Sequence, residues 1–108
     1  MATNYKVLGQ SIPSANTNTT LYTCATANGA VGSTVAICNQ GVSTTIRAAV
    51  RVANAAIEAK QYIVYDAVAS ANDTLFLTIG VALANTDIVT VYANTANVSF
   101  SLFGSEIT

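Results

Sequence analysis

Thr44-Thr45-Ile46-Arg47-Ala48-Ala49-Val50-Arg51-Val52 places Ile46, Ala48, Val50 and Val52 at every second position, with Arg47, Ala49 and Arg51 between them. A period of two belongs to an extended chain whose side chains point alternately to opposite faces. The run therefore predicts a strand over 44–52 with one face in a core and the arginines outside. Working outward, similar runs rich in β-branched and aromatic residues predict strands over 5–10, 20–26, 33–39, 61–67, 74–79, 88–93 and 98–103. Eight short strands at intervals of roughly 8 to 12 residues predict an all-β domain over 1–108. Its expected form is an antiparallel β-sandwich of about eight strands, jelly-roll or immunoglobulin-like.

The connections have their own chemistry. Asn28-Gly29 tolerates the positive φ of a type I′ turn and is expected to join the second and third strands as a hairpin. Gln40-Gly41 turns the chain into the fourth strand. Ala53, Ala55, Ala56, Glu58 and Ala59 are good helix formers, but residues 53–60 allow only a turn or two, so the segment is read as a connection. Tyr62-Ile63-Val64-Tyr65 predicts a fifth strand covered on both faces. Gly80 is expected to end or bulge the sixth. In the last run Val98, Phe100 and Leu102 face one way, and Ser99, Ser101 and Phe103 the other. The expected core comprises Leu21, Ile37, Val50, Ile63, Leu75, Leu77, Ile88, Val91, Phe100 and Leu102, each worth about 1.5–3 kcal/mol if fully buried.

Charge is the scarcest resource of the chain. Charged residues make up 8% of it and hydrophobic residues 52%, with a net charge of −1 and no histidine or tryptophan. Average soluble domains carry roughly 25% charged residues, so the surface is covered by Thr, Ser and Asn, and little repulsion keeps copies apart. Self-association is expected. With only Lys6, Arg47, Arg51 and Lys60 as cations, no basic patch for nucleic acid forms. The opening Met1-Ala2-Thr3-Asn4-Tyr5-Lys6 lacks a secretory leader pattern, and no run approaches about 18 apolar residues, so cytosolic synthesis without a membrane span is expected.

Nothing converges for chemistry. Without histidine or a CxxC spacing no metal or cofactor is expected, and the isolated carboxylates Glu58, Asp66, Asp73, Asp87 and Glu106 do not suggest an enzyme. Asp73 and Asp87 read as solvated turn residues. Asp66 closes an apolar run and is suited to pair with Arg47 or Arg51, within the chain or across a contact. If the second and third strands pair directly about Asn28-Gly29, Cys24 and Cys38 fall five residues out of register, roughly 17 Å apart at about 3.4 Å per residue. They are then two buried free thiols, and a disulfide survives only if the strands lie in different sheets. Arg47 and Arg51, sharing one outward face, and Phe103, apolar on the polar side of its strand, are the candidate protein-contact residues. Tyr5, Tyr22, Tyr62, Tyr65 and Tyr92 are the aromatic groups a sugar site would use.

Nearly the whole chain resembles short virion structural proteins of tailed bacteriophages, of the type found in phages of cyanobacteria and other marine bacteria. The stretches that carry this are Tyr5 to Ser11, Leu21-Tyr22-Thr23, Ile37-Cys38-Asn39, Arg47 to Arg51, Tyr62 to Asp66, Ala71 to Thr74, Leu77 to Gly80, Asp87 to Ala93 and Phe100 to Ile107. The resemblance implies a β-sandwich that assembles with copies of itself, often as a homotrimer, and docks on a larger protein. The implied place is the virion, and the implied partners are the major capsid protein or tail proteins. A capsid decoration or cement protein is the first expectation. A tail, baseplate or fibre-attachment component is the alternative, and a receptor- or carbohydrate-binding module the second. No functional residues carry over from the group.

Overall fold

The chain doubles back at its middle, and each strand of the first half pairs antiparallel with one of the second. The computed structural model describes residues 2–108. Its strands are β1 (Thr3–Ser11), β2 (Thr19–Thr23), β3 (Ala30–Asn39), β4 (Thr44–Arg51), β5 (Tyr62–Ala69), β6 (Thr74–Leu83), β7 (Ile88–Ala93) and β8 (Val98–Ile107). Two short 3-10 turns, Val52–Asn54 and Ala59–Gln61, occupy the exposed connection between β4 and β5. The nested pairs β4·β5, β3·β6, β2·β7 and β1·β8 alternate between two four-stranded sheets. The A sheet has the order β1-β8-β3-β6, and the B sheet β2-β7-β4-β5. This rolled double ribbon is a jelly roll, the first of the two sandwich forms expected. Among the described residues no helix is long and apolar enough to cross a membrane.

Alternation makes the core. Val35, Ile37, Val98, Phe100 and Leu102 from the A sheet meet Leu21, Ile46, Ala48, Val89 and Val91 from the B sheet, all buried. Sheets in such packings lie about 10 Å apart, but at the β1/β2 side they come closer. A Cβ on Gly9 would stand 2.1 Å from the Leu21 carbonyl oxygen, so only glycine allows β1 to pass β2 there. At the β5/β6 side the sandwich is more open, and Leu75, Leu77, Ile79 and Val81 of β6 are half-buried.

Several expectations need correction. β2 and β3 lie in different sheets, so Asn28-Gly29 is not a hairpin tip between paired strands. The turn instead carries the chain across the sandwich, with the Gly29 N–H donating to the Thr26 carbonyl at 3.2 Å and the Thr26 hydroxyl to the Gly29 carbonyl at 2.7 Å. Only Gly29 takes positive φ, +89°, and a Cβ there would lie 2.6 Å from the Leu83 carbonyl oxygen. Cys24 and Cys38 are free thiols, Cys24 buried and Cys38 half-buried, though not for the register argument. The Cys24 Sγ sits 3.9 Å from the Leu83 carbonyl, beside Ala30 at the start of β3, whereas Cys38 lies eight residues along that strand. At about 3.3 Å per residue that is roughly 26 Å, far beyond bridging distance.

Ile63 is 46% exposed and Val52 63% exposed, so neither belongs to the core. β5 is an edge strand with one face open, where Tyr65 and Val68 are exposed too. Ala49, expected outside with the arginines, is buried because the turns of the 52–61 connection pack against β4 and β7. Asp87 is buried rather than solvated, accepting the backbone N–H groups of Ala53 and Ala84 at 2.9 Å each. β6 runs through Gly80 to Leu83, with a bulge between Thr78 and Val81 opposite β3.

Two outcomes follow. Thiol counting of the unfolded, unreduced chain should give two free thiols. Gly9→Ala should lower the unfolding free energy by about 1–3 kcal/mol, the usual loss from an overpacked contact, read from denaturant midpoints; an unchanged midpoint would mean that the β1/β2 approach is not needed.

Candidate protein-contact surfaces

The two outer faces of the sandwich differ in chemistry. On the A sheet the outward residues follow from the register. Tyr5 and Val31 flank Ser105, Val7 and Thr34 flank Phe103, and Ala36 lies between Ser101 and Phe76. Tyr5, Val7, Val31, Phe76 and Phe103 are all exposed. Among the described residues none of the nine charged side chains lies on this face. Phe103 sits near its middle, 37% exposed, on a strand flanked by β1 and β3.

The charges lie elsewhere, mostly paired within the chain. At one end of the sandwich Glu106 bridges the sheets. It accepts from the Lys6 ammonium at 3.0 Å and from the Tyr22 hydroxyl at 2.5 Å. The Tyr22 hydrogen bond, then Lys6, holds the Glu106 carboxyl below its usual range, while burial, then Glu106, raises the Tyr22 phenol.

On the outer face of the B sheet the Arg47 guanidinium lies between the rings of Tyr65 and Tyr92, 4.3 and 4.5 Å from their centroids. Its Nε donates to Asp66 Oδ1 at 2.7 Å and its second amino nitrogen to Oδ2 at 3.4 Å. Asp66 occupies a bulge of β5 with φ +53°, a conformation a residue with a Cβ adopts at some energetic cost. The Tyr92 hydroxyl donates to Asn16 Oδ1 at 2.9 Å. Arg51 donates to the Ala55 carbonyl at 2.7 Å and to Asn54 Oδ1 at 3.4 Å. Beside this cluster Ile57, Glu58, Ala59, Tyr62 and Tyr65 line an open groove of about 470 Å³.

Both arginines singled out from the sequence thus have partners in their own chain, and Asp66 pairs with Arg47 as its position suggested. The structure does not bring Arg47, Arg51 and Phe103 together, since the arginines and the phenylalanine lie on opposite sheets. Sequence reasoning missed two features. Phe76 was masked by its leucine neighbours, although its phase in Thr74-Leu75-Phe76-Leu77-Thr78 already sets it on their opposite face. Glu106 lay beyond the expected end of the last strand. Comparison with family models, curated proteins and solved structures finds no match to the chain.

A carboxyl whose folded-state pKa is depressed adds stability above its unfolded pKa, about 4.3 for Glu, and loses it as pH falls through the folded value. The midpoint of thermal unfolding should therefore drop on acidification below about pH 4.3. Glu106→Gln should be less stable than the parent at pH 7 and show a shallower drop. An identical acid slope in the two proteins would show that the Lys6–Glu106–Tyr22 bridge carries none of it.

Proposed function

We propose that the chain is a structural subunit of a tailed-phage virion, a decoration or cement protein that assembles with its own copies and docks on the shell through the outer face of the A sheet. The observation that carries this reading is that face, free of charge and bearing Tyr5, Val7, Val31 and Phe103 in one neighbourhood. Docking there strips water from apolar groups and strands no ion, so burial translates into adhesion without a desolvation penalty for charge. The resemblance of the sequence to phage virion proteins supplies the particle. The jelly roll is a common coat-protein architecture and adds only an analogy. A protein bound to the assembled shell and not to its free subunits stabilises the assembly by mass action.

A tail or fibre-attachment position would use the same face, and copy number per particle separates the two: hundreds on a shell, at most a few tens on a tail. A receptor-binding reading has its own observation, the tyrosine-lined groove beside Glu58 on the opposite sheet. Tyr65→Ala particles that retain the protein yet no longer adsorb to host cells would favour it.

Phe103 is the residue to test. With 37% of its surface still open, roughly 75 Å² remains to be covered, or about 2 kcal/mol per copy at about 25 cal/mol per Å². Particles carrying Phe103→Ser should shed the protein on dilution and burst at a lower temperature. Full occupancy and unchanged heat resistance would refute docking through this face.

A further inference from the structure

Three of the four strand edges in the sandwich are obstructed in ways that discourage pairing with another chain. β1 carries Lys6 and is bulged between Val7 and Gly9. β2 is five residues long and bulged between Thr20 and Tyr22. β5 is bulged twice, and Asp66 takes a left-handed conformation at one of the bulges. β6 differs in that its bulge, between Thr78 and Val81, lies beyond a clear uncharged run. Its ten residues include no charge and no proline, and its ladder with β3 runs unbroken from Thr74 to Thr78. Behind that run the core is incompletely covered, with Leu75 and Leu77 half-buried, while Phe76 stands 65% exposed on the outer face.

The unbroken run reads the same in both directions: Thr74-Leu75-Phe76-Leu77-Thr78. A two-fold axis perpendicular to an antiparallel strand pair sets each strand against its own reverse, so a palindromic segment meets itself residue for residue. We propose that β6 pairs with β6 of a second copy about a two-fold axis at Phe76, joining two A sheets into one eight-stranded sheet. Phe76 then faces Phe76 of the second copy, Leu75 faces its Leu77, and Thr74 faces its Thr78. Aromatic and threonine pairs of this kind are favourable cross-strand neighbours, and no like charges oppose one another. The leucine pairs extend the two cores toward each other, and the phenylalanine pair lies on the uncharged outer face. Register is pinned, because a slip of one residue sets each copy's Phe76 against a leucine that faces the core. The contact is isologous, the self-complementary kind that a single chain forms with itself. It requires only the chain, and so goes beyond the docking role proposed above.

Sedimentation equilibrium of the full chain, followed by the same measurement on Phe76→Lys, tests the contact. The parent should show twice its 11.1 kDa or an even multiple. Phe76→Lys sets two ammonium groups against each other on the axis and should weaken association by about tenfold or more, with the circular dichroism of the fold retained. In a Cys24→Ala/Cys38→Ser background, Phe76→Cys should cross-link pairs of chains under mild oxidation, which reports the register directly. A parent that stays at 11.1 kDa at every concentration overturns the proposal. So does association, trimeric included, that Phe76→Lys leaves unchanged, or a Phe76→Cys chain that does not cross-link. The docking reading is judged separately, by occupancy of Phe103→Ser particles, so either can fail while the other stands.

Discussion

Pairing between the two halves of the chain is the constraint on which the rest depends. β4 meets β5 across the 52–61 connection, and β3·β6, β2·β7 and β1·β8 follow as progressively wider pairs. No strand finds its ladder partner within its own half, so neither half buries its apolar faces until the other is in place. Such separations make loop closure a large part of the folding barrier. They also decide where each residue ends up. Phe103 is near the centre of an outer face because β8 is flanked by β1 and β3, and Glu106 reaches Tyr22 because β8 runs the length of the sandwich.

Period-two patterning carried most of what could be read in advance. Ile88–Ala93 is a strand over those very residues, and in β4 the separation of Ile46 and Ala48 from Arg47 and Arg51 holds. What failed needed knowledge of neighbours. Ile63 has the hydrophobicity of a core residue but sits on an edge strand, and Ala49 faces outward but lies under a connection whose path the sequence does not specify. Asn28-Gly29 marked a real turn, yet a turn signal says nothing about whether the flanking strands pair. The ion pair of Arg47 with Asp66 was readable as an option. The stacking of that guanidinium between Tyr65 and Tyr92 depended on register and on a bulge.

The two outer faces divide the polar inventory unevenly. The B sheet face holds Arg47, Arg51 and Asp66, locked by short hydrogen bonds within the chain, whereas the A sheet face holds hydroxyl groups and exposed hydrocarbon. Exposed pairs such as Arg47–Asp66 contribute little to stability in water. Here one member of the pair, Asp66, sits in a strained, left-handed turn of the backbone beside Tyr65.

That strained turn in β5 has a consequence for how far the protein can polymerise. A sandwich with two smooth edges on one sheet is a monomer for filaments, because each added copy presents a fresh edge to the next. In this chain the A sheet has one edge that is smooth only from Thr74 to Thr78 and one guarded by Lys6 and a bulge, and the B sheet ends on the short β2 and the doubly bulged β5. If copies add through β6 as proposed, edge-to-edge growth would stop after a single addition, and the shape of the backbone, not charge, would guard this polypeptide against fibril formation.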